Sequence, residues 1–485
     1  MPAMSNHGSA RRNPETIVPN GAACKAHASS RQLKITRTTV QGHRARCSVA
    51  FMVRSQYPIL IAAALRRDIK HVSCLQVPQM DFMSMRDQTR RVLIVTPQPF
   101  YEDRGTPIAV RYVANALTEM GVQVDLLAFP VGQDPEISNL IVSRCANPLR
   151  LRHVPIGFSW RKIVLDVSLW WSFARLLSTQ RYDMVHAVEE AAYMAALLCP
   201  RFNQPFMYDM ASSIPTELQR KPLLRSTIVQ KILLAAERRV LNRASCVVCS
   251  AGLAGYVRAQ APDAHVSDWR FPSFSTQVTP AAVEALREEL VIDQEQRILL
   301  YSGNFAGYQG VEMLIEAFTL ARENFPDLVL VCVGATELEV AEWSRRPSRP
   351  IDDYVRIVPR QPREQISVYI ELADFLMMPR LGGDNIPLKL YDYMASGKPI
   401  IATRQMADMP LLNDTRAFLC DPTVESLAAA MTRACSSPRE AAALARESQR
   451  YARRHFGWNP FVEFVNDTYR RAIEAAPQSD NDLAA

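Results

Sequence analysis

"VLIVTPQPFYEDRGTPIAVRYVANALTEMGVQVDLLAF", Val92 to Phe129, decides the fold class. It opens with "VLIVTP", an apolar run of strand length. From Pro107 to Met120 apolar residues recur at helical spacing, Gly121 stops the helix, and "QVDLLAF" is apolar again. Two strands hydrophobic on both faces and joined by a helix belong to a parallel sheet covered by helices. The rhythm continues through "YDMVHAV", "PFMYDM" and "SCVVCS". It pauses at "DAHVSDWRFPSFSTQVTPA", Asp263–Ala281, and restarts in "RILLYSG", "LVLVCVG", "VRIVP", "DFLMMP" and "KPIIAT". Two such series predict an α/β protein of two doubly wound, Rossmann-like domains facing a crevice. The expected divisions are a basic, disordered leader over 1–88, a first domain over 89–270 and a second over 271–455. A terminal helix over 456–485 would return to the first domain and end in a disordered tail.

The 485 residues are 48% hydrophobic and 22% charged, as in globular proteins. The net charge of +7 is unevenly spread. Residues 1–80 carry twelve Lys or Arg against Glu15 and Asp68, a balance of +10, so the remainder carries 7 − 10 = −3. A nearly neutral body argues against nucleic-acid binding. Met80, Met83 and Met85 precede the first strand, and one expectation is that the natural chain starts at one of them; the other is a basic arm. Of ten cysteines, only Cys246 and Cys249 form a C-x-x-C. They lie in an apolar strand that points them to opposite faces, which predicts reduced core thiols in a cytoplasmic protein and no metal site. No apolar run reaches the ~18 residues of a spanning helix. Two basic, aromatic or amphipathic stretches, "LRLRHVPIGFSWRKIVLDVSLWWSFARLL" and "RKPLLRSTIVQKILLAAERRVLNRA", resemble helices that lie on the inner face of a membrane. The plain alternative, favoured for the second, is a domain helix with a solvated basic face.

The candidate site residues stand at strand ends. In "YSGNFAGYQGVEMLIEAF", Gly303, Gly307 and Gly310 separate a strand from a helix, where backbone amides can meet phosphate; an ordinary turn fits as well. In "RLGGDNIPLKLYDYMASG", Asp384 or Asn385 can cap a helix that Pro387 opens and Gly397 ends. Carboxylates suit vicinal diols, so Asp384 and Asp392 can each take a hydroxyl pair, while Arg380 and Lys389 supply charge against phosphate. A capping and a surface aspartate are the simpler reading. Gly105 and Thr106 form a loop after the first strand, and His186, Glu189 and Glu190 are expected past another strand end, facing the crevice. Asp209, Ser212 and Ser213 follow the next strand, where they can cap a helix.

Taken together, "RGTPIAVRYVANAL", "YDMVHAVEEAA", "YDMASSIPTEL", "GNFAGYQGVEMLIEA" and "PRLGGDNIPLKLYDYMASGKPIIAT" resemble glycosyltransferase family 4, retaining enzymes of the GT-B fold. The resemblance runs from about Arg91 to Ala475. It implies a UDP- or GDP-linked sugar donor held by the second domain, a sugar or lipid-linked acceptor, and no cofactor or metal. Asp384 and Asp392 take the places of two hallmark glutamates, so Asp384 would contact the donor sugar and Asp392 the ribose. Asn304 and Gln309 stand where the family carries a diphosphate-binding Arg and Lys, which leaves that task to Arg380 and Lys389. With Gly303 and Asn385 these complete the donor side. His186 takes the first place of the family's H-x-H and Val188 the second, which brings Glu189 forward beside Asp384 and His186 as a catalytic candidate; Gly105 and Thr106 form the acceptor-side loop. The implied reaction is hexosyl transfer in polysaccharide or glycoconjugate synthesis. The alternative is an inactive scaffold of the same fold; a sugar-nucleotide epimerase is disfavoured by the aspartate pair and the "YQG" loop.

Overall fold

The computed structural model describes residues 90–103, 105–154, 159–219, 226–274, 276–343, 353–383, 385–404 and 411–476. The expected leader over 1–88 lies outside them, and so does Asp384.

The first half is a parallel sheet of β1 (Arg91–Pro99), β2 (Gln123–Phe129), β3 (Leu140–Arg144), β4 (Met184–Val188), β5 (Phe206–Met210), β6 (Cys246–Cys249) and β7 (Val266–Asp268). Their order is β3-β2-β1-β4-β5-β6-β7. Its helices are α1 (Gly105–Glu119), α2 (Trp160–Thr179), α3 (Ala191–Leu198), α4 (Ile214–Gln219), α5 (Thr227–Leu241) and α6 (Ala251–Gln260). The second half repeats the plan with β8 (Arg297–Ser302), β9 (Leu328–Ala335), β10 (Val355–Pro359), β11 (Phe375–Met378), β12 (Ile400–Thr403) and β13 (Phe418–Cys420), in the order β10-β9-β8-β11-β12-β13. Around it lie α7 (Pro280–Glu289), α8 (Val311–Arg322), α9 (Glu337–Trp343), α10 (Arg363–Leu372), α11 (Leu388–Ser396), α12 (Val424–Ser436), α13 (Pro438–His455) and α14 (Trp458–Glu474). The expected class, two doubly wound α/β sheets, is the observed one. The sequence reading passed over β3, β7 and β13.

In each sheet the strand order reverses beside the first strand, between β1 and β4 and between β8 and β11. Loops diverge there and leave room for a ligand beyond the carboxyl ends. The halves are joined through apolar packing as well as through the chain. Trp269 and Phe271 of the connector stack at 5.2 Å, and Phe461 of α14 packs against both. α14 lies on α1, where the Trp458 indole N–H donates to Glu119 at 2.6 Å. Cys246 and Cys249 enter apolar clusters on opposite faces of the first sheet, as strand alternation requires. Burial pushes the Cys249 thiol up to about 12, which keeps it protonated and inert.

Candidate active site

A crevice of about 370 Å³ opens where the carboxyl ends of the two sheets meet. Nine of the expected residues line it: Gly105 and Thr106 from the first half, and Gly303, Asn304, Gln309, Arg380, Asn385, Lys389 and Asp392 from the second. Residues 287 positions apart at the extremes, Gly105 and Asp392, thus line one crevice because both sheets present the same end.

Two cations give the crevice its chemistry. Arg380, just past β11, is 1% exposed, and its guanidinium donates to the Asn385 carbonyl at 2.9 Å and to its side-chain oxygen at 3.2 Å. Gly383 makes room for it: a Cβ there would collide with the guanidinium, and its φ of 108° suits glycine. Lys389, in the first turn of α11, donates to the Ser302 carbonyl at 2.7 Å and to the Gln309 side-chain oxygen at 3.4 Å, and lies 4.1 Å over the Tyr301 ring. Burial, and secondly the neighbouring Arg380 charge, push its ammonium down to about 7. Gly303 keeps its approach open, since a Cβ there would stand 2.7 Å from Nζ. Gln309 occupies a place where the resemblance expects a cation; the structure brings a cation to it from α11.

The sequence reading gave Asp392 a spare carboxylate. In the structure it is engaged: Oδ1 accepts the Phe274 backbone N–H at 2.6 Å, and Oδ2 faces the Arg363 guanidinium at 3.1 Å. Burial pushes the acid up to about 6 against the pull of Arg363. Arg363 also lies over the rings of Phe274 and of Tyr112 in α1, so one side chain ties together the aspartate, the connector and the first half. Sequence reasoning missed Arg363. The signal was its place just past β10 at the start of α10, where the strand-end rule points side chains at the crevice.

Other expectations need correction. Among the described residues no side chain caps α11; its N-cap is Pro387, and the Asn385 side chain is taken up by Arg380. Tyr393, on the same helix, is fully buried, and its hydroxyl accepts the Ser302 backbone N–H at 2.9 Å. His186 does not face the crevice. It sits inside β4, 1% exposed, between the Tyr469 hydroxyl of α14 and Asp209 at 3.2 Å, and stacks on Trp269. Asp209, which does line the crevice, also accepts the Trp269 indole N–H at 2.7 Å. His186 therefore supports the wall from behind. His186→Ala should lower stability by about 1–3 kcal/mol, because the Tyr469 hydroxyl and one Asp209 oxygen lose a buried partner, while turnover changes less than ~3-fold; urea unfolding beside an activity assay reads both. Glu189 also stands behind the wall, at a positive φ of 48°. It accepts from Thr106 Oγ1 at 3.0 Å and from Gln98 at 2.7 Å, and burial together with Glu190 pushes it up to about 7. Ser213 Oγ accepts the Thr216 backbone N–H at the start of α4, a helix-capping contact. Among the described residues no group of His, Cys, Asp and Glu is placed to hold a metal ion.

This pair of sheets and its crevice are those of a sugar-transfer fold, and comparison with known proteins agrees. The model of glycosyl transferases group 1 matches residues 282–454, and that of the glycosyl transferase 4-like domain matches 104–267. The chain belongs to the glycosyltransferases of the GT-B fold, family 4 type. A D-inositol 3-phosphate glycosyltransferase of Pseudarthrobacter chlorophenolicus is 23% identical over 321 residues, 62% of this chain and 74% of that one. Among solved structures, sucrose-phosphate synthase from Thermosynechococcus elongatus superposes with a TM-score of 0.65 at 20% identity, over 80% of this chain and all of the other. Anabaena HepE in complex with UDP and glucose superposes at 0.61 and 16% identity, over 79% and 99%.

Proposed function

We propose that this chain transfers a hexosyl group from a UDP- or GDP-linked sugar to the hydroxyl of a sugar or lipid-linked acceptor, with retention at the anomeric carbon, in polysaccharide or glycoconjugate synthesis. The observation that carries this reading is the convergence of Arg380 and Lys389 on the glycine loop after β8, at the bottom of a crevice walled by both halves. As the bond from the anomeric carbon to the diphosphate breaks, negative charge grows on the leaving oxygens, and fixed cations in a partly dry site stabilise it. The acceptor oxygen bonds to the anomeric carbon on the same face, and its proton passes to the departing phosphate. Asp384 would hold the donor sugar and Asp392 the ribose, for which the ribose hydroxyls must share or replace the Phe274 amide and Arg363. That existing engagement of Asp392 is also the one feature favouring the second reading, a sugar-binding scaffold without turnover.

A thermal-shift series with UDP, GDP, ADP and their sugars tests the reading, since a ligand of the native state raises Tm by mass action. One nucleotide should raise Tm by several degrees at saturation; a flat response to all of them counts against it. Lys389 adds a pH signature. Free, its ammonium loses its proton near 7. A bound diphosphate favours the charged form and raises that value, so donor binding above pH 7 takes up a proton. Affinity should fall as pH rises, by up to ~10-fold per unit. Calorimetry at pH 8 in two buffers of different ionisation enthalpy measures the uptake. No uptake and a level Kd from pH 7 to 9 would remove Lys389 from the diphosphate.

A further inference from the structure

The first half of the molecule carries an outer face that the sugar-transfer reading does not use. On α2, Trp160, Ile163, Val167 and Trp171 are 62%, 46%, 55% and 72% exposed. Their spacing of three, four and four residues sets them in one stripe along the helix. The opposite side of α2, Leu165, Leu169, Phe173 and Leu177, is buried, so the helix is apolar on both sides and only one of them is satisfied by the fold. On α5, Ile228 and Ile232, one turn apart, are 71% and 64% exposed. Both helices belong to the same layer: buried residues of α2 and the buried Val240 and Leu241 of α5 join one core cluster against one face of the sheet. α3 lies in that layer too, packs on α5, and exposes Leu197.

The exposed charges of these two helices are of one sign. Arg161 and Arg175 on α2, and Lys231, Arg238 and Arg239 on α5, are exposed. No acidic residue of either helix is: Asp166 is half-buried and Glu237 is fully buried. Exposed bases elsewhere are paired differently, as on α14, where Arg470 bridges Asp467 and Glu474, and on α13, where Arg450 bridges Glu447. Tryptophans and aliphatic side chains on helices whose exposed cations form no ion pair among the described residues match a surface that is apolar beneath and anionic on top. The face also runs to the crevice end of the sheet. Lys162 in the first turn of α2 bonds Glu190, just past the carboxyl end of β4, so Trp160 stands at the crevice end of the sheet. Among the described residues no helix is long and apolar enough to cross a membrane.

We propose that the outer faces of α2 and α5 dock on an anionic lipid bilayer, with the helices lying along its surface and the crevice mouth beside it. Docking stands apart from sugar transfer, so vesicle binding and turnover can fail separately. The test is co-sedimentation of the full chain with vesicles of neutral phosphatidylcholine and with vesicles holding about 30% phosphatidylglycerol, a charged surface of the kind that attracts basic segments. The protein should partition onto the anionic vesicles, less so at high salt, with a blue shift of tryptophan emission. Two double variants, Trp160→Glu with Trp171→Glu and Ile228→Glu with Ile232→Glu, should each weaken partitioning at least ~10-fold, with far-UV circular dichroism and the nucleotide-induced Tm shift unchanged. Three results would overturn the assignment: no binding to anionic vesicles; binding that survives both double variants, as when the twelve basic residues of 1–80 carry it; or a dimer dissolved by the same variants in a protein that ignores vesicles, which would give the face to a second copy.

Discussion

Lys389→Met should lower kcat/KM for the donor by at least ~100-fold, the scale on which a charge-stabilising group at a departing oxygen acts. Methionine keeps the length of the side chain, so the change removes the ammonium with its two hydrogen bonds and its place over the Tyr301 ring. Its held position, between the Ser302 carbonyl and Gln309, is why the effect should be large: a fixed cation needs no reorganisation as charge develops. Stability gives the control. Burial already disfavours this ammonium, which offsets the donor that the Ser302 carbonyl and Gln309 lose, so Met should move Tm little. A fall in turnover with Tm intact therefore marks function. Lys389→Arg should not restore the rate, because a planar guanidinium does not reproduce the compact ammonium's contacts with the Ser302 carbonyl and Gln309.

Asp384→Asn should cost a similar factor, ~100-fold or more in kcat, with the nucleotide-induced Tm shift retained. The expected role of Asp384 is to hold the donor sugar at the reacting carbon, whereas the nucleotide is held elsewhere. Its neighbour Asn385 lines the crevice beside Arg380. Single-turnover kinetics with saturating donor separate the two effects. A rate near that of the unaltered protein would remove Asp384 from the site.

What could be read in advance follows from where each signal is encoded. Interior strands such as "VLIVTP" and "LVLVCVG" are buried on both faces and are hydrophobic throughout, so the chain itself announces them. The strands passed over, β3, β7 and β13, are the outermost members of their sheets, and β7 and β13 have three residues each. β3 is half-exposed along most of its length and carries no clean apolar run. The crevice wall was legible for the same reason as the sheets: residues just past strand ends must gather there, and nine of the expected ones do. The failures depend on partners far along the chain. His186 was placed at a strand end, but one or two residues of boundary error put it inside β4, where a tyrosine 283 positions later claims its ring. Asp392 was read as a carboxylate for a ligand or as a plain surface one, because nothing local shows that Arg363 and the connector amide reach it. The cationic pair fell between these cases. Arg380 and Lys389 were recognisable as charge near the loop, while the buried slot that fixes Lys389 against Ser302 and Gln309 is a product of tertiary packing.

The central claim is that Arg380 and Lys389 serve a departing nucleoside diphosphate. It is tested most directly by incubating the full chain with UDP-, GDP- and ADP-linked hexoses and following release of free nucleoside diphosphate by NMR. At least one donor should be consumed, by hydrolysis alone or by transfer when an acceptor is added, and Lys389→Met should abolish the release. A folded protein that releases nucleotide from none of these donors, and whose Tm none of the nucleotides shifts, would contradict the account.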